Sequence, residues 1–307
     1  MRMPGALCVI VILLLLLCVA GSCLAQQDAP PVPVPNPQVY FNEGAWVMTD
    51  LQYGEVDGYP LLLDAYLPAA DGIHPAVINI HGGGWRSGSK GGAMNAVRGD
   101  LLIPEGVAIF SIGYRLSGTA PYPAAVEDCL AAVRWIREHA AEFDVDPDRL
   151  AVWGGSAGGH LALMMGFMEP GPDDLDADGN RIENFVRCVV AKNPPTDFTA
   201  DDEMHSERAL VQFMAATREM AAERYAEASP VTHLSSDDPP VFVMHGTADR
   251  TVPYNQALVL QARMKALDVP MALVTFEGAG HGLRGAPAAD IDRTMRDAAE
   301  FVLEHLQ

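Results

Sequence analysis

Positive charge is scarce in this chain. Twenty Lys and Arg stand against 40 Asp and Glu, a formal net charge of −20 over 307 residues. So acidic a surface repels phosphates, which argues against nucleic acid and anionic membrane as partners and favours neutral or cationic small molecules. Cysteine is scarcer still. Of five, Cys8, Cys18 and Cys23 fall in the first 25 residues, leaving Cys129 and Cys188 in the rest of the chain. Two thiols make no disulfide framework. Cys129 falls on the apolar face of a helical pattern and Cys188 at the start of an apolar strand, which reads as two buried free thiols, with a single bridge left open. No Cys/His zinc spacing and no Rossmann fingerprint occurs, so no metal and no cofactor is expected. Internal repeats are absent too.

What is present begins with an export-like segment. Arg2 and the amino terminus supply positive charge, residues 6–20 are almost wholly apolar, and small residues follow. The run is short for a membrane anchor. Cys23-Leu24-Ala25 fits the small-x-small pattern for cleavage before Gln26, which makes residues 1–25 a signal peptide and the protein periplasmic or secreted. Ala20-Gly21-Ser22-Cys23 also resembles a lipoprotein box, which would leave a lipid anchor on Cys23. Residues 26–45 carry Pro30, Pro31, Pro33, Pro35 and Pro37 and read as an extended linker. Removing 1–25 takes away one more positive charge.

From residue 46 to residue 307 strand and helix patterns alternate. A strand pair over 47–56 and 61–67 is joined around Asp57-Gly58. Short apolar runs at 76–80, 107–112, 150–153, 186–191, 241–244 and 273–276 read as buried strands. Helical patterns cover 93–103, 124–143, 255–267 and 291–306. This predicts an α/β domain with a mostly parallel central sheet flanked by helices on both faces. Residues 194–230 break the alternation with Met204, Leu210, Phe213, Met214, Met220 and Tyr225 among acidic residues. A small lid and ordinary connecting helices are equally compatible with that pattern.

Chemistry concentrates at the ends of four predicted strands. Gly154-Gly155-Ser156-Ala157-Gly158 lies between the strand 150–153 and a helix-like run from His160. A Gly-x-Ser-x-Gly turn in that setting holds its serine in a strained conformation with Oγ projecting above the sheet. His81-Gly82-Gly83-Gly84-Trp85 follows another strand; its glycines leave backbone N–H groups free to approach a reacting centre. His245-Gly246-Thr247-Ala248-Asp249 and Gly278-Ala279-Gly280-His281-Gly282 follow two more. A serine hydroxyl needs a base to take its proton, and an imidazole needs a carboxylate to fix its tautomer. Ser156, Asp249 and His281 are the candidate nucleophile, acid and base. Glu277 and Asp290 are competitors for the acid. His160, one helical turn after Ser156, is either a buttress of the glycine loop or an ordinary histidine of the core or surface. Asp174 to Gly179 matches the start of a calcium loop, but Phe185 stands where the bidentate Glu belongs, so a solvated acidic loop is expected.

Together these motifs resemble an α/β-hydrolase esterase. The chain is similar to the group with an HGGGW loop and a GxSAGGH elbow, which includes feruloyl and acetyl-xylan esterase-like proteins and hormone-sensitive-lipase-like carboxylesterases. The resemblance runs from about Leu51 to the C-terminus and implies the α/β-hydrolase fold, with a small cap or none. Carried over, Ser156 resembles the nucleophile, Asp249 the acid and His281 the base. Gly83, Gly84 and Ala157 resemble the oxyanion donors; Gly155 is a candidate to line the substrate site, and Trp85 is a candidate either to line it or simply to pack. The implied activity is serine ester hydrolysis through an acyl-enzyme, on small-molecule or polysaccharide-linked short-chain, acetyl or feruloyl esters. A prolyl-oligopeptidase-like peptidase, an aryl formamidase and a catalytically silent binding protein are the alternatives. Oligomeric state stays open.

Overall fold

The computed structural model describes residues 36–42, 44–175, 179–200 and 207–307. The export-like segment, Cys23, most of the proline-rich linker and three residues of the calcium-like loop lie outside the described residues. Nine strands form one sheet: β1 Gln38–Asn42, β2 Ala45–Val56, β3 Tyr59–Pro68, β4 His74–Ile80, β5 Ala108–Ile112, β6 Val145–Gly155, β7 Cys188–Lys192, β8 Val241–Gly246 and β9 Met271–Phe276. Their spatial order is β1-β2-β3-β5-β4-β6-β7-β8-β9. The first three strands pair antiparallel and β3 meets β5 antiparallel; from β5 through β9 every pair is parallel. The tight β2–β3 turn needs two residues in the left-handed region, and Asp57 (φ 51°) and Gly58 (φ 78°) supply them.

The strands carry two cores because successive side chains point to opposite faces. Ile78, Phe110, Val152, Val189 and Val243 face one layer. Val77, Ile109, Ala151, Val190 and Phe242 face the other. Helices α1 Ala93–Ala96, α2 Gly99–Leu102, α3 Ala124–Glu138, α4 Ala157–Phe167, α5 Glu207–Met214, α6 Ala222–Glu227, α7 Asn255–Ala266 and α8 Ala288–His305 divide between them. α3, α4 and α7 build the first core, and Leu102 of α2 and Met295, Ala298 and Val302 of α8 the second. This is the mostly parallel, doubly covered sheet that the alternation predicts, in the α/β-hydrolase arrangement.

Three expectations need correction. Residues 38–42 belong to no linker; they form β1 at the sheet edge, and β2 already begins at Ala45. The expected helix over 93–103 is two single turns, because Arg98 enters the left-handed region at φ 57°. The helix expected to reach Phe143 stops at Glu138 and tightens into a 3₁₀ turn, Ala140–Phe143. Cys129 and Cys188 are free, buried and in the two different cores, on opposite faces of the sheet.

Residues 201–206, with Met204, lie outside the described residues; the described parts of 194–230 pack into the first core. Phe198, Leu210, Phe213, Met214 and Tyr225 are buried there. The Tyr122 N–H donates to the Phe213 carbonyl at 2.7 Å. The Ser229 hydroxyl accepts the Phe198 N–H at 2.8 Å and donates to the Tyr225 carbonyl at 2.7 Å.

α4 starts deep in the sheet, where its first turn abuts the end of β4. A Cβ on Gly158 would sit 2.1 Å from the Ile80 carbonyl oxygen and 2.6 Å from that of His81. Both obstacles are backbone, so neither can swing aside. Replacing Gly158 by alanine should therefore push α4 off β4 and cost about 3 kcal/mol or more of stability. Urea denaturation of the wild type and Gly158→Ala checks this; equal midpoints would mean that the contact is slack.

Candidate active site

Ser156 occupies the single residue between β6 and α4, with φ 56° and ψ −121°. For a residue with a Cβ this is a strained conformation, of order 1–3 kcal/mol, that surrounding bonds must hold. Its N–H donates to the Lys192 carbonyl at 2.8 Å, and its carbonyl accepts the His160 N–H at 3.0 Å, opening α4. Gly154 permits the turn: a Cβ there would lie 2.1 Å from the Gly158 oxygen. The hydroxyl is thereby lifted to the carboxyl ends of the strands, where open α/β sheets place their sites.

The structure brings Ser156, His281 and Asp249 together. His281 Nε2 lies 2.9 Å from Ser156 Oγ, and its Nδ1 lies 2.7 Å from Asp249 Oδ2. The carboxylate can only accept, so Nδ1 carries the proton and Nε2 is free to accept from the serine hydroxyl. Asp249 lies in the loop three residues past β8, with its side chain fully buried. Oδ1 accepts the N–H groups of Thr251 (2.8 Å) and Val252 (2.9 Å). Oδ2 accepts from Asn193 Nδ2 at 2.9 Å besides His281. Burial pushes this carboxyl up, but the bond to His281 and those from the backbone outweigh it, so its pKa lies below the ordinary value and the group is a carboxylate at neutral pH. Glu277 accepts from Thr247 and Asp290 pairs with Arg293, so neither competitor reaches the imidazole.

Asn193 is the residue sequence reasoning missed. It follows β7 directly with φ 49°, and its N–H donates to the Met244 carbonyl at 2.9 Å. That fixes its amide against Asp249. The signal was an Asn-Pro pair at the carboxyl end of a buried strand, the level at which the other three motifs lie. His245 is a second unassigned neighbour: buried, 3.6 Å from Asp249, with Nε2 2.9 Å from the Val252 carbonyl. Burial lowers its pKa, the Val252 carbonyl opposing, so it stands neutral behind the carboxylate.

The glycine loop turns back over the elbow. Gly82 makes the close approach, since a Cβ there would meet the Gly155 oxygen at 2.6 Å and Ser156 Cβ at 3.5 Å. Gly83 (φ 116°) and Gly84 (φ 61°) then reverse the chain. Their N–H groups and that of Ala157, in the first turn of α4, have no protein acceptor among the described residues. His81 organises the loop: its ring stacks on Tyr114 at 4.3 Å, and Nδ1 lies 2.7 Å from the Gly82 carbonyl. Ser156, His281, His81, Gly82, Gly155 and Lys192 all line one cavity of about 290 Å³.

Trp85 does not line the site, and that expectation is corrected. It is 1% exposed, stacked on Phe213 at 4.6 Å. The reason is its indole N–H, which donates to His160 Nδ1 at 3.2 Å. His160 in turn donates from Nε2 to the Ala228 carbonyl at 2.8 Å. His160 is thus both core and buttress, tying the glycine loop to α4 and to the region 194–230. Asp174 of the calcium-like loop is taken up by Arg134, through bonds of 2.6 and 2.9 Å.

Comparison with known proteins places this geometry. The family model BD-FAE matches residues 63–264. The probable carboxylic ester hydrolase LipM of Mycobacterium tuberculosis is 34% identical over 78% of this chain and 55% of its own length. The chain spans about half to three fifths of the length of the curated relatives it matches first. A truncated carbohydrate esterase from gut microbiota superposes with a TM-score of 0.69 at 25% identity, covering 85% of this chain and 96% of that one. The esterase Est2 of the planctomycete Thermogutta terrifontis, in a propionate-bound structure, does so with a TM-score of 0.68 at 30% identity, covering 85% and 94%.

Burial lowers the pKa of His160 from 6.5 to about 4. The unfolded chain binds this proton near pH 6.5 and the folded one only near 4, so the stability it contributes is complete above 6.5 and lost as pH falls toward 4. The loss is about 3 kcal/mol. Asp238, raised by burial to about 6, has the opposite dependence, but it is common to wild type and variant and cancels in their difference. Chemical denaturation between pH 4 and 7 should show the wild type losing its advantage over His160→Gln as pH drops. Parallel curves would contradict a neutral buttress.

Proposed function

We propose the chemistry from one premise: the chain belongs to the BD-FAE family. It is a carboxylic ester hydrolase acting through a serine acyl-enzyme. The observation that carries this is the unbroken relay from Asp249 through His281 to a serine strained into the elbow of an α/β sheet. Ser156 Oγ attacks the ester carbonyl as its proton passes to His281 Nε2. Asp249, held ionised by four donors, stabilises the imidazolium. The N–H groups of Ala157, Gly83 and Gly84 take the tetrahedral oxyanion. His281 then protonates the departing alcohol and activates water to release the acid.

Short-chain, acetyl or feruloyl-type esters, including those on polysaccharides, are the proposed substrates. Support comes from relatives described as a carbohydrate esterase and as an esterase bound to propionate or butyrate. Export to the periplasm or medium, with or without a lipid on Cys23, is part of the same proposal and rests on the N-terminal sequence.

The test is a panel of p-nitrophenyl acetate, butyrate and decanoate, methyl ferulate and acetylated xylan, with a peptide amide beside them. Ser156→Ala should lower kcat by at least about 10⁴-fold with the fold intact. Turnover unaffected by that change would sink the assignment, and cleavage of the amide alone would move it to peptidases. Asp249→Asn keeps the shape but removes the carboxylate that selects the tautomer; a kcat loss of about 10⁴-fold is expected. Stopped-flow or steady-state assays at pH 7 read both.

A further inference from the structure

Lys192 is a cation out of place. The chain carries twice as many acidic as basic residues. Yet among the described residues the cavity holding Ser156 and His281 is lined by no carboxylate, and Lys192 is the lysine or arginine that lines it. It ends β7, in register with Gly155 on β6 and Met244 on β8. Its carbonyl receives the Ser156 N–H at 2.8 Å. Its Cε lies 3.5 Å from where a Cβ on Gly155 would be, so the side chain runs along the residue before the nucleophile.

Lysines buried this far are normally paired. Lys90, a few residues past the glycine loop in the chain, shows the usual solution, with Asp50 and Asp64 each 2.6 Å from its ammonium. Lys192 has no such partner among the described residues. Desolvation alone acts on it, drawing its pKa below the ordinary lysine value. A half-buried ammonium without a counter-charge costs stability that a hydrophobic residue would not. The strand end does not demand a lysine: the hydrogen bond to Ser156 comes from the backbone, which any residue supplies.

We propose that Lys192 is a specificity residue that recognises an anionic group next to the scissile ester, so that the preferred substrates are esters bearing a carboxylate. The inference rests on the ester-hydrolase reading and narrows its substrate class. Two chemistries supply such a group: a dicarboxylic hemiester, with the charge on the acyl side, and an ester of a uronate or hydroxybenzoate, with the charge on the alcohol side. In either case the substrate provides the counter-ion that the protein omits. Against a protein of net charge −20, a local cation is also what an anionic ester needs to enter the cavity.

The experiment compares matched pairs of esters on the wild type, Lys192→Met and Lys192→Gln. One pair is p-nitrophenyl hemiglutarate and p-nitrophenyl valerate. The other is 4-acetoxybenzoate and its methyl ester. Intrinsic reactivity cancels in the ratio of kcat/KM, anionic over neutral, when variant is compared with wild type. That ratio should fall about tenfold or more in both variants for at least one pair, the affected pair naming the side that carries the charge, and Lys192→Arg should restore part of it. A ratio changed less than about threefold in both pairs overturns the proposal, because a structural lysine would depress both members equally. Loss of all turnover on the neutral esters in Ser156→Ala, measured alongside, keeps this outcome separate from failure of the esterase reading.

Discussion

The site depends on one steric constraint: the first turn of α4 is pressed against the carbonyls that end β4. Gly158 has no room for a Cβ beside Ile80 and His81, and Gly154 none beside Gly158. That contact fixes where the helix starts, and the residue before it must take φ 56° to connect strand to helix. Strain of this kind persists only where neighbouring structure over-determines it. Here the Lys192 carbonyl on one side and the His160 N–H on the other hold both ends of the Ser156 backbone. The hydroxyl has its aim before any substrate arrives, which is the condition for efficient attack.

A second set of contacts carries that rigidity outward. Trp85, His160 and Ala228 form a hydrogen-bonded chain from the glycine loop through α4 to the region 194–230. Phe213 and Phe198 pack around the indole. Burial keeps His160 neutral, so it can accept from Trp85 and donate to Ala228 at once. On the acid side, Asn193 and two backbone amides hold Asp249 together with His281. The reacting atoms sit on loops, but each loop is tied to a strand end or a buried ring.

Charge is distributed unevenly between the chain as a whole and the site. The chain as a whole is acidic, while among the described residues the lining of the cavity at Ser156 includes imidazoles, glycine backbone and one ammonium. Asp249 lies behind His281, bonded to its ring, and does not line the cavity. Among the described residues, a negative group entering this cavity meets donors, not carboxylates.

The sequence by itself determined the sheet class, the order of the catalytic motifs and the strand ends that bear them. Apolar period and glycine spacing are local properties, and Gly-x-Ser-x-Gly after a strand has few other uses. It also marked His160 without deciding whether it buttresses the glycine loop, and Trp85 without deciding between packing and substrate contact. Only the tertiary structure decided that, because both rings are buried by Phe198 and Phe213, more than a hundred residues from Trp85 in the chain. The same holds for Asn193, which matters because β7 lies beside β8 and brings its amide to Asp249. It holds for Lys192, whose isolation is a property of the cavity. It holds for β1, which reads as linker until β2 offers it an edge. Periodicity reports which face a residue turns inward; what it meets there is set by the crossovers that bring distant strands side by side.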